Sequence, residues 1–142
     1  MKERETDPKV FTLAEANSLL PQVRQLLTEL RAMMEHIIAK ETAIDVEELS
    51  GGQADGKLSP AAKQRMAQLM QELDAQVEEF QAALQIFNEL GCHLKDLDQG
   101  LVDFYSMRND ELVVLCWREG EERVGFWHRI EDGYSGRQPI TD

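Results

Sequence analysis

No stretch of this 142-residue chain approaches the roughly 20 consecutive apolar residues that a membrane-spanning helix requires, so no such span is expected. Basic residues are few, 15 against 27 acidic ones, for a net charge of -12. The deficit is spread along the chain. Residues 1–90 hold nine basic and sixteen acidic groups, and the remainder six and eleven. No basic face emerges, which argues against nucleic-acid backbones and anionic membrane surfaces as partners. There are two cysteines, Cys92 and Cys116, in no CxxC pattern, so a disulfide framework is not expected. Met1-Lys2-Glu3-Arg4-Glu5 lacks the apolar core of an export signal. Reduced thiols and a cytoplasmic location are the expectation. HExxH and phosphate-loop patterns are missing too. Aromatics are scarce, and six of the nine (Phe104, Tyr105, Trp117, Phe126, Trp127 and Tyr134) lie in the last third. Specific recognition is therefore expected there.

What the chain does have is a pair of heptad runs. Val23, Leu27, Leu30, Met34, Ile37, Glu41 and Ile44 alternate at spacings of four and three, as do Met66, Met70, Leu73, Val77, Phe80, Leu84 and Phe87. Ser50-Gly51-Gly52-Gln53-Ala54-Asp55-Gly56 breaks helix between them. The pattern predicts a long antiparallel coiled-coil hairpin with helices over 21–49 and 60–90, and with Leu30 and Phe80 buried. Ser59-Pro60 is a helix start and Gly91 a C-terminal cap. Thr12-Leu13-Ala14-Glu15 is a capping box for a short helix before Pro21. Leu19, Leu26 and Met33, with Leu69 and Ala83, form a second apolar stripe. A two-helix hairpin buries one seam per helix, so this stripe points to a homodimer. A C-terminal part folded back over it is the alternative.

After Gly91 the pattern changes. Leu101 to Tyr105, Leu112 to Trp117 and Arg123 to Ile130 read as three antiparallel strands, separated by turn residues at 108–110 and 119–121. The tail from Glu131 reads as irregular and lying on the sheet. The expected fold class is α+β in a single domain over 1–142. Its helical hairpin, with the short N-terminal helix, would fill 12–90, and a small three-stranded meander and tail 91–142.

Cys92-His93 with Asp96 and Asp98 has the composition of a metal cluster. Zinc needs about four converging donors, and Cys116 and His128 could contribute only if the strands brought them close. Asp96-Leu97-Asp98-Gln99-Gly100 opens like a calcium loop, but Gly100, Leu101 and Met107 then occupy positions that should hold an oxygen donor, a glycine and a glutamate. The expectation is therefore no metal and no cofactor, with Asp96 and Asp98 bonding turn amides. Strand alternation puts Asp103 with Leu101 and Tyr105, and His128 with Phe126. Whether Asp103 meets His128 depends on registers that a one-residue slip inverts.

Phe11-Thr12-Leu13-Ala14-Glu15-Ala16-Asn17 with Leu20-Pro21, the segment from Gly91 to Phe104, Leu115-Cys116-Trp117-Arg118, Gly125-Phe126-Trp127-His128 and Gly136-Arg137-Gln138-Pro139 resemble a bacterial family catalogued as domain of unknown function 2203. The resemblance covers nearly the whole chain. It implies a small cytoplasmic protein and carries over no catalytic residues.

The reading from sequence is an acidic, homodimeric hairpin scaffold whose sheet binds a protein or small-molecule partner. Asp103, Arg118, Trp127, His128 and Arg137 are its expected binding residues. The alternative is a small metal-assisted hydrolase or ligand-binding protein using Asp96, Asp98, Asp103 and His128. A concave pocket holding a perturbed histidine or carboxylate would favour that alternative.

Overall fold

The computed structural model describes residues 9–141. Thr12 opens α1 (Leu13–Ser18), its hydroxyl accepting from the Glu15 N–H while the Glu15 carboxylate accepts from the Thr12 N–H. The reciprocal bonds satisfy two donors that a helix start leaves unpaired. Two 31-residue helices follow, α2 (Leu20–Ser50) and α3 (Pro60–Leu90). Ser59 Oγ caps α3 by accepting from the Ala62 N–H, and Gly91, at φ +88°, closes it by donating to Phe87 O.

The chain divides into two compact units, residues 29–84 and residues 1–28 with 85–142. The first is a helical hairpin. Lys40 Nζ lies 2.6 Å from Glu72 Oε2 across it, and Glu47 pairs with Arg65 nearer the tip. At the tip the Ser59 N–H donates to Gly51 O. A Cβ on Gly51 would overlap that of the buried Ala62 and lie 2.8 Å from Glu47 O, so glycine is set here by close approach.

The helices form as expected, and six of the seven positions expected in each seam are covered, with Leu30 fully buried. On α3 the covered positions include Ala62, Met66, Leu69, Leu73, Gln76, Phe80, Ala83 and Phe87, a 4-3 repeat that takes in Leu69 and Ala83 from the second stripe, together with Val77 and Leu84 of the expected seam. Met70, expected in the seam, is 50% exposed. On α2, Leu26 is buried, Met33 and Lys40 are half-buried, and Glu41 is exposed. Each helix thus buries a band wider than one heptad line, and both stripes contribute to it. Phe80 is half-buried, while Phe87 at 1% exposure is the buried aromatic. Lys40, paired with Glu72, and Gln76 are polar groups in this seam, which penalises slipped registers.

The other unit carries a sheet of five strands where three were expected: β1 (His93–Asp96), β2 (Leu101–Arg108), β3 (Glu111–Arg118), β4 (Phe126–Arg129) and β5 (Gln138–Pro139). They pair antiparallel in sequence order. The two extra strands are short edges, one before the expected meander and one in the tail expected to be irregular. The β2–β3 turn has both central residues left-handed, Asn109 at φ 52° and Asp110 at φ 63°, as a two-residue hairpin matched to strand twist requires.

One face of the sheet is apolar and buried: Val102, Phe104, Val113, Leu115 and Trp117. Phe11 packs edge-on against Phe104, 5.4 Å between centroids. The Phe11 N–H donates to Tyr105 O, and Ser106 Oγ donates to Phe11 O. Asn17 is the matching tie from α1, accepting from the Val124 N–H at 2.7 Å. The N-terminal segment is thereby fixed to the sheet's inner side, leaving the other face to form a site.

Candidate functional site

The outward face is built by register. His93 pairs with Asp103, Asp103 with Cys116, and Cys116 with Phe126, so these side chains stand on one face. Val114 pairs with both Tyr105 and His128 one step along. Asp103 and His128 therefore meet diagonally over β3, with Cys116 beside them. One donor atom from each of Asp103, Cys116 and His128 lies within 4.8 Å of the others, and all three residues are buried.

Over this trio opens a pocket of about 350 Å³. Its apolar walls come from Leu101, Val114 and Ile130, and its polar ones from His93, Lys95, Tyr105 and Tyr134. A bulge between Leu94 and Asp96 lets Lys95 reach the pocket. His93 stacks edge-on against Tyr105 at 5.0 Å.

The electrostatics follow from burial. Loss of solvent pushes the Asp103 carboxyl up, opposed by His128 and Lys95 nearby. The Cys116 thiol donates to this carboxylate and is itself pushed up to about 11, by burial first and then by Asp103. Burial and Lys95 lower His93, against the pull of Asp103. His128 Nδ1 lies 2.7 Å from Arg129 O. A carbonyl only accepts, so Nδ1 carries the proton and Nε2 is the nitrogen left to accept a proton or a metal.

The expected site residues are placed unequally. Asp103 and His128 form the floor. Arg118 is exposed, its guanidinium donating to Tyr134 Oη at 3.3 Å. Arg137 forms a bidentate pair with Glu121 at 3.1 and 2.8 Å, stacks on Phe126 and Tyr134, and donates to Cys116. Trp127 is on the opposite face, paired with Leu115 and under the Arg108 guanidinium. Asp96 caps its own turn, accepting from the Gln99 N–H at 2.9 Å, and Asp98 is exposed. Neither lines the pocket, so the alternative set of four acids and bases reduces to Asp103 and His128. Cys92 is buried at the end of α3, directed at Phe87 O. The sequence reading missed Lys95, Tyr105 and Tyr134, took His93 only as a member of the metal cluster it set aside, and took Cys116 only as a conditional donor. Strand alternation carried part of that signal, but only the registers bring the residues together.

Fold and site together define an α+β protein with a helical hairpin and a five-stranded sheet bearing one polar-floored pocket. The model of the family described as "Uncharacterized conserved protein (DUF2203)" matches residues 9–140, and the chain belongs to that family. No curated protein and no solved structure matches it.

Proposed function

We propose that this protein binds a small polar molecule in the pocket on the outer face of its sheet, with the helical hairpin as scaffold. One observation carries the reading: Asp103 and His128, the buried carboxylate and imidazole among the described residues, converge at the floor of one concave pocket. Burying them costs free energy that an aliphatic pair at these strand positions would avoid. The third buried polar residue, Ser106, is accounted for by its bond to Phe11 O. The Asp103 carboxyl and His128 Nε2 offer acceptor groups at the bottom, the aliphatic walls take an apolar body, and Lys95 with the two tyrosines suits an anionic group at the mouth. A concave site favours ligand binding over a flat protein-docking surface.

The finer homodimer reading loses part of its basis, because Leu26 and Ala83 are covered within the chain. What supports it now is a face of α2 where Ile38, Val46 and Leu49 are 55%, 56% and 87% exposed, a stripe that a second copy would cover.

Native mass spectrometry of gently purified protein tests both. Retained small-molecule mass, lost in Asp103→Leu, is expected, together with twice the chain mass. A ligand held at 100 times its Kd adds about 2.7 kcal/mol, roughly 5–10 °C in Tm for a chain of this size. No retained mass, and no thermal shift with small carboxylates or phosphates, would refute the pocket reading. Monomer mass at micromolar concentration would refute the dimer.

A further inference from the structure

We propose that Asp103, Cys116 and His128 are the protein ligands of a zinc-class divalent metal at the pocket floor, with one coordination position open to the pocket. This deepens the ligand-binding reading and rests on the same pocket. It also replaces the expectation of no metal, which weighed Cys92-His93 with Asp96 and Asp98. The fold leaves Cys92, Asp96 and Asp98 outside the pocket, keeps His93 in its wall, and brings the conditional donors Cys116 and His128 to Asp103.

Three features support the site. The donors are one oxygen, one sulfur and one imidazole nitrogen within 4.8 Å of one another. Tetrahedral zinc at about 2.0–2.3 Å from such donors holds them about 3.4–3.6 Å apart, so rotamer adjustments of about 1 Å close the trio. The mix of thiolate, imidazole and carboxylate favours zinc over magnesium or calcium, which take oxygen. Surrounding groups also suit ligation. The Nδ1–H of His128 is held by Arg129 O, which orients the ring and leaves Nε2 its lone pair. The Arg137 guanidinium donates to the Cys116 sulfur while anchored by Glu121. Outer contacts of this kind fix first ligands and tune their basicity. Finally, the pocket lies over the trio, so a fourth ligand can be water or a bound anion. Three protein donors plus an open position is the arrangement of catalytic rather than structural zinc. Charge balances as well: a dication meets one carboxylate and one thiolate, with the thiol proton released to solvent on binding.

Cobalt(II) substitution into full-length protein stripped with chelator tests this. Expected are visible d–d bands of tetrahedral intensity and a near-ultraviolet thiolate-to-cobalt band, both saturating near one metal per chain and displaced by zinc. Cys116→Ser should abolish the thiolate band, and His128→Gln should weaken affinity at least about 100-fold, beyond the loss typical of an outer contact. Cys92→Ser should leave the spectrum unchanged. Circular dichroism establishes that each variant is folded, and the wild-type spectrum needs no variant. Octahedral cobalt without a thiolate band in wild-type protein would overturn the metal site. So would a thiolate band lost in Cys92→Ser and kept in Cys116→Ser. A retained small molecule with no cobalt spectrum overturns the metal alone and leaves the pocket reading standing. A Cys116-dependent spectrum supports the metal whether or not a small molecule is found.

Discussion

Phe80 and Phe87 sit one heptad apart on α3, and the heptad pattern treats them as equivalent. The structure does not. Phe87 is 1% exposed and Phe80 is half-buried. A phenylalanine side chain that leaves water buries about 150–250 Å². At about 25 cal/mol per Å² of apolar surface this is worth several kcal/mol, of which alanine keeps a minor part. The cavity left behind adds to the loss, so Phe87→Ala should cost about 3–5 kcal/mol. Phe80→Ala removes less buried area than Phe87→Ala and leaves a cavity nearer to solvent. Its cost should be smaller by about 1 kcal/mol or more. Urea unfolding followed by helical circular dichroism and by fluorescence measures both. Trp117 is fully buried beneath the sheet, so fluorescence reports the unit that contains Phe87. With a slope of about 1–3 kcal/mol per molar urea, the Phe87 variant should shift its midpoint by 1 M or more. Equal losses in the two variants, or a larger loss at Phe80, would show that the buried side of α3 is misassigned.

Two further tests address the sheet and the thiols. Asp110 holds φ at 63° with a side chain, a conformation that costs a non-glycine residue up to about 1–2 kcal/mol. Asp110→Gly should make the turn Asn-Gly and raise stability by up to about 1 kcal/mol in the same urea assay; destabilisation would mean that the Asp110 side chain supports the turn. Burial pushes the Cys92 and Cys116 thiols both up to about 11, so little thiolate exists near neutral pH in the metal-free protein. Iodoacetamide should label the native metal-free chain slowly and label both sites promptly in denaturant. Rapid native alkylation of either cysteine would contradict that burial.

The sequence alone determined the elements whose signals are local. A capping box needs only Thr12 and Glu15, three residues apart, and both bonds form as the pattern requires. The helix limits followed from the Ser59-Pro60 start, the Gly91 stop and the glycine-rich break, and the observed bounds differ by one residue at each end of α2 alone. Alternation within a strand fixed that Asp103 shares a face with Tyr105, and His128 with Phe126, because successive side chains must point oppositely. Tertiary structure decided everything that needed a second element to choose. Two apolar lines ran along each helix, and the structure buries most of the first line with Leu26 and Ala83 of the second, leaving Met70 in solvent. The edge strands His93–Asp96 and Gln138–Pro139 carry too few residues to show a period, and they form because a neighbour offers unpaired backbone groups. The site is the clearest case. Asp103, Cys116 and His128 come from three strands, and a slip of one residue in either hairpin would turn one of them to the opposite face. Their meeting is a property of register, which belongs to pairs of strands and is written in neither one.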